Sequence, residues 1–486
     1  MKLHISRRTY QIFCINMSKE ITSGQIKRNV GFSLLSQVVY VVIALIINLL
    51  VPKFIDEVQY AYWQAYLLYV GYVGILHLGL LDGIVLRYSQ YDYEDLDKRR
   101  IRSQFLVLFF VTTLSMCFAL SLWLLLPSSV FRSVLPFVAI GMVSRNVFYY
   151  TSYTFQITNR IQYYANLIIL SRIINGISVV ILLSMNVNDF KWYCVADLFA
   201  EISAILICGH YNKGLYFGRI IPVKETIIET WNNISCGISL MFANWVSFLF
   251  TGLARIFVER HWDVLTFGKI SFAFGIVNLF LLFVSALSVV LFPSLKRIDK
   301  SKMPSLFKSI RMVISFLYVL LLILYFPCCE IIKLWIPKYT ESLWALGILL
   351  PMIIYASKVT LLTNNYLKAM RKEKNILAIN LTSLLVAVIL YTLCTFYFNN
   401  IMSLLISIII VEIVRAVLSE YIVGKEFKMY FWKEQIIEVL ITSIFMVCTQ
   451  LHSQTMGLMI YLLVAAMYVL INRKTMCILI KTKVKI

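Results

Sequence analysis

The chain has 486 residues, of which 60% are apolar and 14% are charged, with a mean hydropathy of +0.81 and a formal net charge of +21. This balance excludes an ordinary soluble domain, in which apolar residues make up about half of the chain. The charge does not indicate nucleic-acid binding, because the basic residues lie in short loops where they meet anionic lipid headgroups. The composition is that of a polytopic membrane protein.

About fourteen apolar stretches follow one another along the chain, most of them near the roughly 20 residues that a spanning helix needs. Their apolar residues run continuously and do not alternate with polar ones, which predicts helices and not barrel strands. The predicted spans are 29–51, 62–87, 104–126, 134–158, 163–185, 191–209, 234–254, 264–293, 312–334, 342–367, 376–398, 401–423, 436–452 and 457–472.

The connecting segments alternate in charge. Those assigned to one face of the membrane hold 32 Lys and Arg, whereas those on the other hold 6. The segments rich in Lys and Arg define the basic face, and the remaining loops define the opposite face. Short basic loops stay in the cytosol, so both termini are predicted to be cytosolic. The basic segments are 1–28, 88–103, 159–162, 210–233, 294–311, 368–375, 424–434 and 473–486.

The order of elements repeats with an offset near 212 residues. Segment 155–166 (FQITNRIQYYAN) and segment 367–380 (LKAMRKEKNILAIN) each follow the fourth span of one half. Repeated lobes around a central cavity are a recurring transporter architecture. We therefore predict an all-α membrane protein with two pseudo-symmetric six-helix lobes and two extra C-terminal helices. The divisions are a cytosolic N-terminal segment 1–28, an N-lobe 29–210, a cytosolic linker 211–232, a C-lobe 233–424, helices 13 and 14 in 425–472, and a basic tail 473–486.

Several ionisable residues fall inside the predicted spans, where each costs about 2.5–3.5 kcal/mol at the bilayer centre and is a functional candidate. The offset of 212 carries Arg145 to within one residue of Lys358, and Glu201 to within one residue of Glu412. Arg145 and Lys358 are therefore expected to face each other across the cavity. The mid-span candidates are Arg145, Arg172, Asp197, Glu201, Lys358, Glu412 and Arg415, and Asp82, Arg87 and Lys269 lie nearer to span ends.

Structural explanations compete with functional ones for the acids. Glu412 and Arg415 are three residues apart on one helix and can neutralise each other. Asp197 and Glu201 have like charge and need a cation from elsewhere, for which Arg172 is a candidate. An ion pair between Arg172 and these acids would be purely structural. Alternatively, Asp197, Glu201 and Glu412 would couple transport to H⁺ or Na⁺.

The remaining candidates also have simpler explanations. Arg87 and Lys269 can extend to nearby lipid headgroups. The Tyr- and Trp-rich stretches 60–72 and 148–164 fit interfacial aromatic belts better than sugar-stacking platforms.

No feature of the sequence indicates an enzyme or a cofactor. The loops on the opposite face are about a dozen residues or fewer, too short for the catalytic loop of a membrane glycosyltransferase. A nucleotide-binding G-x-x-x-x-G-K-[ST] motif is absent from the sequence. The five histidines lack metal-ligand spacing, and the ten cysteines lie almost all within spans without a disulfide framework. No catalytic residue and no metal site are predicted.

Two segments resemble the oligosaccharide-lipid flippases of O-antigen and capsular polysaccharide export, within the superfamily that also holds multidrug extruders and lipid II flippases. They are AYWQAYLLYVGYVGILHLGLLDGIVLRYSQYDYE (61–94) and ARIFVERHWDVLTFGKISFAFGIVNLFLLFVSALSVVLFPSLKR (254–297). The resemblance implies a central cationic cavity, a substrate built on undecaprenyl pyrophosphate and a place in the bacterial inner membrane. Asp82 and Arg87 lie in the first segment, and the other candidates are assigned by position alone.

The predicted function is transfer of an undecaprenyl-pyrophosphate-linked oligosaccharide from the cytoplasmic to the outer leaflet by alternating access. Besides this substrate, the predicted partners are the membrane lipids, H⁺ or Na⁺ as a coupling ion, and polysaccharide polymerase or export proteins. The alternatives are a multidrug-extruding cation antiporter of the same fold and a non-transporting scaffold of the export machinery. The predicted mechanism requires Arg145 and Lys358 to share one wet chamber, since separate dry helix contacts would leave the pyrophosphate without a host.

Overall fold

The computed structural model describes residues 23–296, 298–299 and 301–481, and every regular element in these ranges is helical. The basic residues Lys2, Arg7 and Arg8 and the end of the predicted tail lie outside the described residues. The first half contains α1 (Ser23–Phe54), α2a (Glu57–Val70), α2b (Leu80–Tyr88), α3 (Lys98–Leu125), α4 (Val130–Ile157), α5 (Ile161–Ser184) and α6 (Phe190–Gly209).

The second half is also helical throughout its described part. It contains α7 (Val223–His261), α8 (Val264–Lys296), α9a (Met303–Ile323), α9b (Tyr325–Trp335), α10a (Leu343–Leu349), α10b (Met352–Ser357), α10c (Asn364–Ala369), α11 (Glu373–Thr392), α12 (Ile401–Phe427), α13 (Trp432–Thr449) and α14 (Gln454–Lys481). Segments of 3₁₀-helix lie at Val73–His77, His210–Leu215 and Pro337–Ser342, and π-helical turns lie at Lys358–Thr363 and Leu393–Tyr397.

The prediction of fourteen spans exceeds what the described residues support. Ten helices are long and apolar enough to cross a membrane, or thirteen when each of three bent pairs counts as one span. The helix that accounts for the difference is α13, which has 18 residues and carries Lys433, Glu434 and Glu438 in its first two turns. All fourteen predicted stretches are helical, but α13 is shorter and more polar than a typical span.

Helix α7 is longer at both ends than the sequence predicted. It begins at Val223, inside the predicted linker, and continues to His261 through the predicted loop 255–263. Pro222 precedes its first turn, and a bend of 67° divides the 39-residue helix into Val223–Ala243 and Phe248–His261, so the two halves do not share one axis. The extension places Arg255 inside a helix and not in a loop.

The turn after α7 is fixed by an aspartate. The Asp263 carboxylate accepts hydrogen bonds from the Thr266 amide at 2.9 Å and from the Thr266 hydroxyl at 2.6 Å. These bonds hold the pKa of Asp263 below its usual value. The carboxylate therefore satisfies free amide donors at the start of α8.

We keep the names N-lobe for α1–α6 and C-lobe for α7–α12, a division that stays a prediction, while α13 packs on α9a and α10a and α14 packs on α9a and α13. Helix α5 has an exposed stripe and a packed stripe. Ile173, Ile177 and Ile181 are exposed, whereas Asn175 and Val179 are buried. This spacing of three to four residues is that of a helix with one face in the core.

On the basic face the lobes meet where α2b packs against α7. Helix α2 breaks by 55° between its halves, and Gly79 there has a φ of +83°, which favours glycine. A Cβ atom on Gly237 of α7 would lie 2.1 Å from the Gly79 carbonyl and 2.2 Å from the Gly83 amide. Backbone therefore contacts backbone at this end. An ion pair between Arg87 and Glu229 at 2.5 Å joins the same two helices.

The lobes also meet on the opposite face. The indole of Trp335 donates a hydrogen bond to the Leu49 carbonyl of α1 at 3.3 Å, and the Lys338 ammonium donates to the Ile55 carbonyl. The Lys53 ammonium lies 3.2 Å from the centre of the Trp335 ring. The two lobes are thus in contact at both ends of their interface.

Candidate functional site

Three charged side chains form an ionic cluster inside the N-lobe. The Arg145 guanidinium of α4 pairs with Asp197 at 2.8 Å and also with Glu201, both on α6. The two acids lie four residues apart, so one helix face presents both to the same cation. Their side chains are 7% and 3% exposed, and that of Arg145 is 13% exposed.

Neighbouring helices complete the hydrogen bonding of the cluster. Tyr66 of α2a donates to Asp197 at 2.9 Å, and Asn175 of α5 donates to the other carboxylate oxygen at 3.1 Å. The Ser144 hydroxyl donates to Glu201 at 3.3 Å. The sequence proposed Arg172 as the cation for these acids, but Arg145 occupies that place.

A second, more deeply buried cluster of two cations and two acids lies between the C-lobe and α13. Arg311 of α9a lies 3.1 Å from Glu420 of α12 and 3.4 Å from Glu438 of α13. Lys358 lies 3.3 Å from Glu420 and also pairs with Glu438. All four side chains are 1–3% exposed. Lys358 opens a π-helical turn, a local widening that is common at functional sites and at sites of close packing constraint.

The two clusters correct the predicted cavity. In each lobe a cation on the fourth helix pairs with an acid on the sixth, a pairing that the sequence analysis did not predict, and the C-lobe acid is Glu420 and not Glu412. Arg145 and Lys358 are each neutralised within a separate buried cluster. The expectation that they face each other across one wet chamber was wrong, and they do not provide the host for a pyrophosphate in this arrangement.

Glu412 and Arg415 pair with each other at 3.5 Å, as the structural explanation proposed. Arg415 also donates to the Asn380 side chain of α11 at 3.1 Å, and its guanidinium lies 4.8 Å from the ring centre of Phe250. These contacts tie α12 to α7 and α11.

The candidates nearer to the span ends lie at separate places. Arg87 joins α2b to α7 through Glu229. Asp82 is 6% exposed and lies 3.9 Å from the His77 ring. Lys269 pairs with the exposed Glu341 at the surface of the C-lobe. Within the described residues, none of these three side chains contacts another predicted site residue.

Arg255 is the cation that the sequence analysis missed, because its helix was predicted to end at residue 254. Its guanidinium donates to the Gln64 side chain of α2a at 3.2 Å and to the Ser271 hydroxyl of α8 at 3.1 Å. Arg255 therefore lies where the N-lobe and C-lobe meet. The uninterrupted apolar residues 256–258 that follow it are the signal that could have extended the helix.

The charge of Arg255 is not neutralised by an ion pair within the described part of the chain. Its partners there are an amide oxygen, a backbone carbonyl at 3.4 Å and a hydroxyl. One of its nitrogens, Nε, is buried without a hydrogen-bond partner in the described ranges. An uncompensated cation in a low-dielectric interface attracts an anion strongly.

Comparisons with known proteins identify the fold. No family model matches the sequence, and no curated protein matches it. The lipid II flippase MurJ in an inward closed conformation gives a TM-score of 0.63 at 14% identity, over 92% of this chain and 98% of that one. An inward-facing multidrug resistance MATE family transporter of the MOP superfamily gives 0.59 at 12% identity, over 79% and 94%.

A MATE protein in a straight conformation is also similar, with a TM-score of 0.52 at 11% identity over 83% of this chain and 95% of that one. The chain is thus a multi-pass helical protein with the fold of MOP-superfamily transporters. At these identities the likeness defines the fold, and the substrate has to be argued from the residues of this chain.

Proposed function

We propose that the protein is a flippase that moves a polyprenyl-pyrophosphate-linked oligosaccharide from the cytoplasmic to the outer leaflet of the bacterial inner membrane. The observation that carries the proposal is Arg255, a cation between the lobes without a carboxylate partner in the described ranges. The lipid II flippase with the same fold supports the class of substrate. Both termini would be cytosolic, by the charge of the loops.

An arginine suits this task on physical grounds. Moving a pyrophosphate through hydrocarbon costs several kcal/mol for each polar group left without a partner. A guanidinium can donate two parallel hydrogen bonds to phosphate oxygens and so replace part of the headgroup solvation. The inside-negative membrane potential also favours outward movement of an anion, by about 2.3 kcal/mol per charge per 100 mV.

The charge distribution favours this proposal over a multidrug-extruding cation antiporter, which needs an unpaired carboxylate facing its cavity. Most intramembrane acids of the described chain are already paired with cations. They are Asp197, Glu201, Glu412, Glu420 and Glu438, whereas Asp82 near a span end lies 3.9 Å from the His77 ring. A scaffold, in turn, has no need for an uncompensated cation between its lobes. The proposal includes a role in the biosynthesis of O-antigen or capsule, coupling of transport to an ion, and a polysaccharide polymerase as a partner.

Replacing Arg255 by Ala is expected to lower flipping at least tenfold, since a hydrogen bond to a charged group contributes about 1.5–3 kcal/mol. The variant and the wild type are expressed in a strain that lacks the gene. The fraction of lipid-linked oligosaccharide that faces the cytosol is then measured with an impermeant glycan-modifying reagent. Arg255→Lys keeps the charge without the two-pronged geometry and should recover part of the activity.

Arg260→Ala is the matched control, because Arg260 lies five residues further along α7, has a side chain 53% exposed and already pairs with Glu259. It should leave flipping unchanged. Normal flipping by Arg255→Ala would overturn the assigned role of Arg255. Unchanged glycan export in the deletion strain, together with increased sensitivity to cationic dyes, would instead establish the extruder.

A further inference from the structure

A polar recess inside the N-lobe is separate from Arg255. The N-lobe recess is defined by Tyr40 of α1, Arg145 and Tyr149 of α4, and Arg172 of α5. The Arg172 guanidinium lies 4.5 Å from the ring centre of Tyr40. Tyr149 lies four residues after Arg145 on α4, so both side chains project from one face of that helix, and Tyr149 interacts electrostatically with Arg172 and Tyr40. Four side chains from three helices therefore converge on one place.

These side chains point into the lobe and not towards lipid. On α5, Arg172 shares a face with the buried Asn175, Gly176 and Val179, whereas Ile173 and Ile177 are exposed on the lipid face. On α1, the exposed stripe includes Val38 and Val42, and Tyr40 lies about 200° around the helix from each. Tyr40 and Arg172 are thus partly accessible although they lie on the packed faces of their helices.

The recess presents polar groups without partners. Within the described ranges, no hydrogen bond is made by the Tyr40 and Tyr149 hydroxyls or by the Arg172 guanidinium, and all three side chains are partly accessible. The support beneath them is rigid by contrast, because Arg145 is fixed by Asp197 and Glu201. Preorganised donors beside aromatic rings are typical of a ligand site.

The local charge decides which ligand fits. By formal charge the two cations Arg145 and Arg172 match the two acids Asp197 and Glu201, and both acids already pair with Arg145, so the recess has no excess positive charge to hold a pyrophosphate. A neutral site with tyrosine rings and several hydrogen-bond donors instead matches a sugar, whose apolar face packs on a ring while its hydroxyls pair with the donors. The anion-attracting group is Arg255, at the lobe interface.

We infer that the N-lobe recess is the carbohydrate subsite of the transporter, in which Tyr40, Tyr149 and Arg172 hold a sugar unit of the oligosaccharide. The inference rests on the proposed function and assigns the two parts of the substrate to two binding sites. Arg255 binds the pyrophosphate that every such lipid carries. The recess distinguishes a glycosylated lipid from a bare one and so acts in substrate selection.

Binding to the purified, full-length protein in lipid nanodiscs tests the inference. One probe is undecaprenyl pyrophosphate without sugar, and the other is the lipid-linked oligosaccharide extracted from the strain that lacks the gene. The wild type should bind the glycosylated lipid at least tenfold more tightly than the bare one. Arg172→Ala should remove about tenfold or more from the affinity for the glycosylated lipid and leave that for the bare lipid unchanged.

Further variants separate recognition from folding. Tyr40→Phe keeps the ring and should retain most of the preference, whereas Tyr40→Leu should lose it. Lys191→Ala, a charge removal at the exposed start of α6 where Lys191 pairs with Asp189 at 3.5 Å, should change neither affinity. Arg255→Ala should weaken both lipids equally.

The outcomes for the two hypotheses are distinct. If the wild type binds neither lipid, the proposed function is wrong. Equal wild-type affinity for the two lipids, or equal losses for both in folded Arg172→Ala and Tyr40→Leu, would overturn the carbohydrate subsite while leaving the flippase intact. If Arg172→Ala does not fold, Tyr40→Leu alone decides, since no ion pair of the described chain depends on Tyr40.

Discussion

Lys358→Ala is expected to destabilise the protein by about 3–5 kcal/mol, the usual effect of removing one partner from a buried ion pair. The substitution leaves Glu420 and Glu438 to share Arg311 in a site where every side chain is at most 3% exposed. Glu438 is also the ionic link from α13 to the C-lobe. The variant should therefore loosen the contact between α13 and the lobe before the rest of the protein unfolds.

Thermal unfolding in detergent measures this effect directly. The buried free cysteines Cys329 and Cys448 become reactive to a thiol-specific dye as the C-lobe opens. The double variant Lys358→Met with Glu438→Gln removes one charge of each sign, leaves Arg311 paired with Glu420, and should recover much of the lost stability.

The experiment also separates the structural role of Lys358 from the role that the sequence suggested. A ligand for pyrophosphate can be replaced without unfolding the protein, so transport would fall while the unfolding temperature stayed unchanged. That result would contradict the buried cluster. A large fall in unfolding temperature with recovery in the double variant would show that Lys358 holds the lobe together.

The helices were predictable from the sequence because they depend on local information. An apolar run of about 20 residues becomes a helix in lipid whatever lies beside it, since its backbone has no other partners. This argument located all fourteen helical stretches. It placed the ends of α7 poorly, because Val223–Trp231 and Arg255–His261 are polar enough to resemble loops although both continue the helix.

The charge partners were not predictable, because they depend on how each helix is rotated about its axis. One residue of error in register turns a side chain by about 100°. The offset of 212 placed an acid on the sixth helix of each lobe correctly, yet it selected Glu412 where Lys358 contacts Glu420, two turns away. The π-helical turn that begins at Lys358 shifts the register further.

The charged residues within the membrane have two different roles. Arg145 and Lys358 lie where acids neutralise them, and there they fix helices within one lobe. Arg255 lies where helices of both lobes meet, and its hydrogen-bond partners in the described ranges are uncharged. The sequence could not tell a structural cation from a substrate-binding one, because an unpaired cation within the membrane costs a similar free energy in both roles.

Gly237→Ala is expected to prevent closure of the basic face and to abolish most transport. Alanine normally stabilises a helix relative to glycine by about 1 kcal/mol. Here its Cβ would lie 2.1 Å from the Gly79 carbonyl and 2.2 Å from the Gly83 amide, where ordinary contacts begin at 3.4 Å. Helices α2b and α7 must then separate by more than an ångström, which also breaks the bond of Arg87 to Glu229.

Carboxyl labelling followed by mass spectrometry reports this separation without new cysteines. Glu229 is 6% exposed when the basic face is closed, so its modification should rise several-fold in Gly237→Ala. Gly31→Ala is the matched control, because a Cβ at Gly31 meets nothing within 4 Å, and it should label and transport like the wild type. Unchanged labelling of Glu229 together with normal transport by Gly237→Ala would show that close packing of α2b on α7 is not a step of the transport cycle. A rise in labelling with loss of transport would mean that closure of the basic face is a required step of the transport cycle, because the added Cβ at Gly237 meets only the backbone of α2b at this end of the molecule.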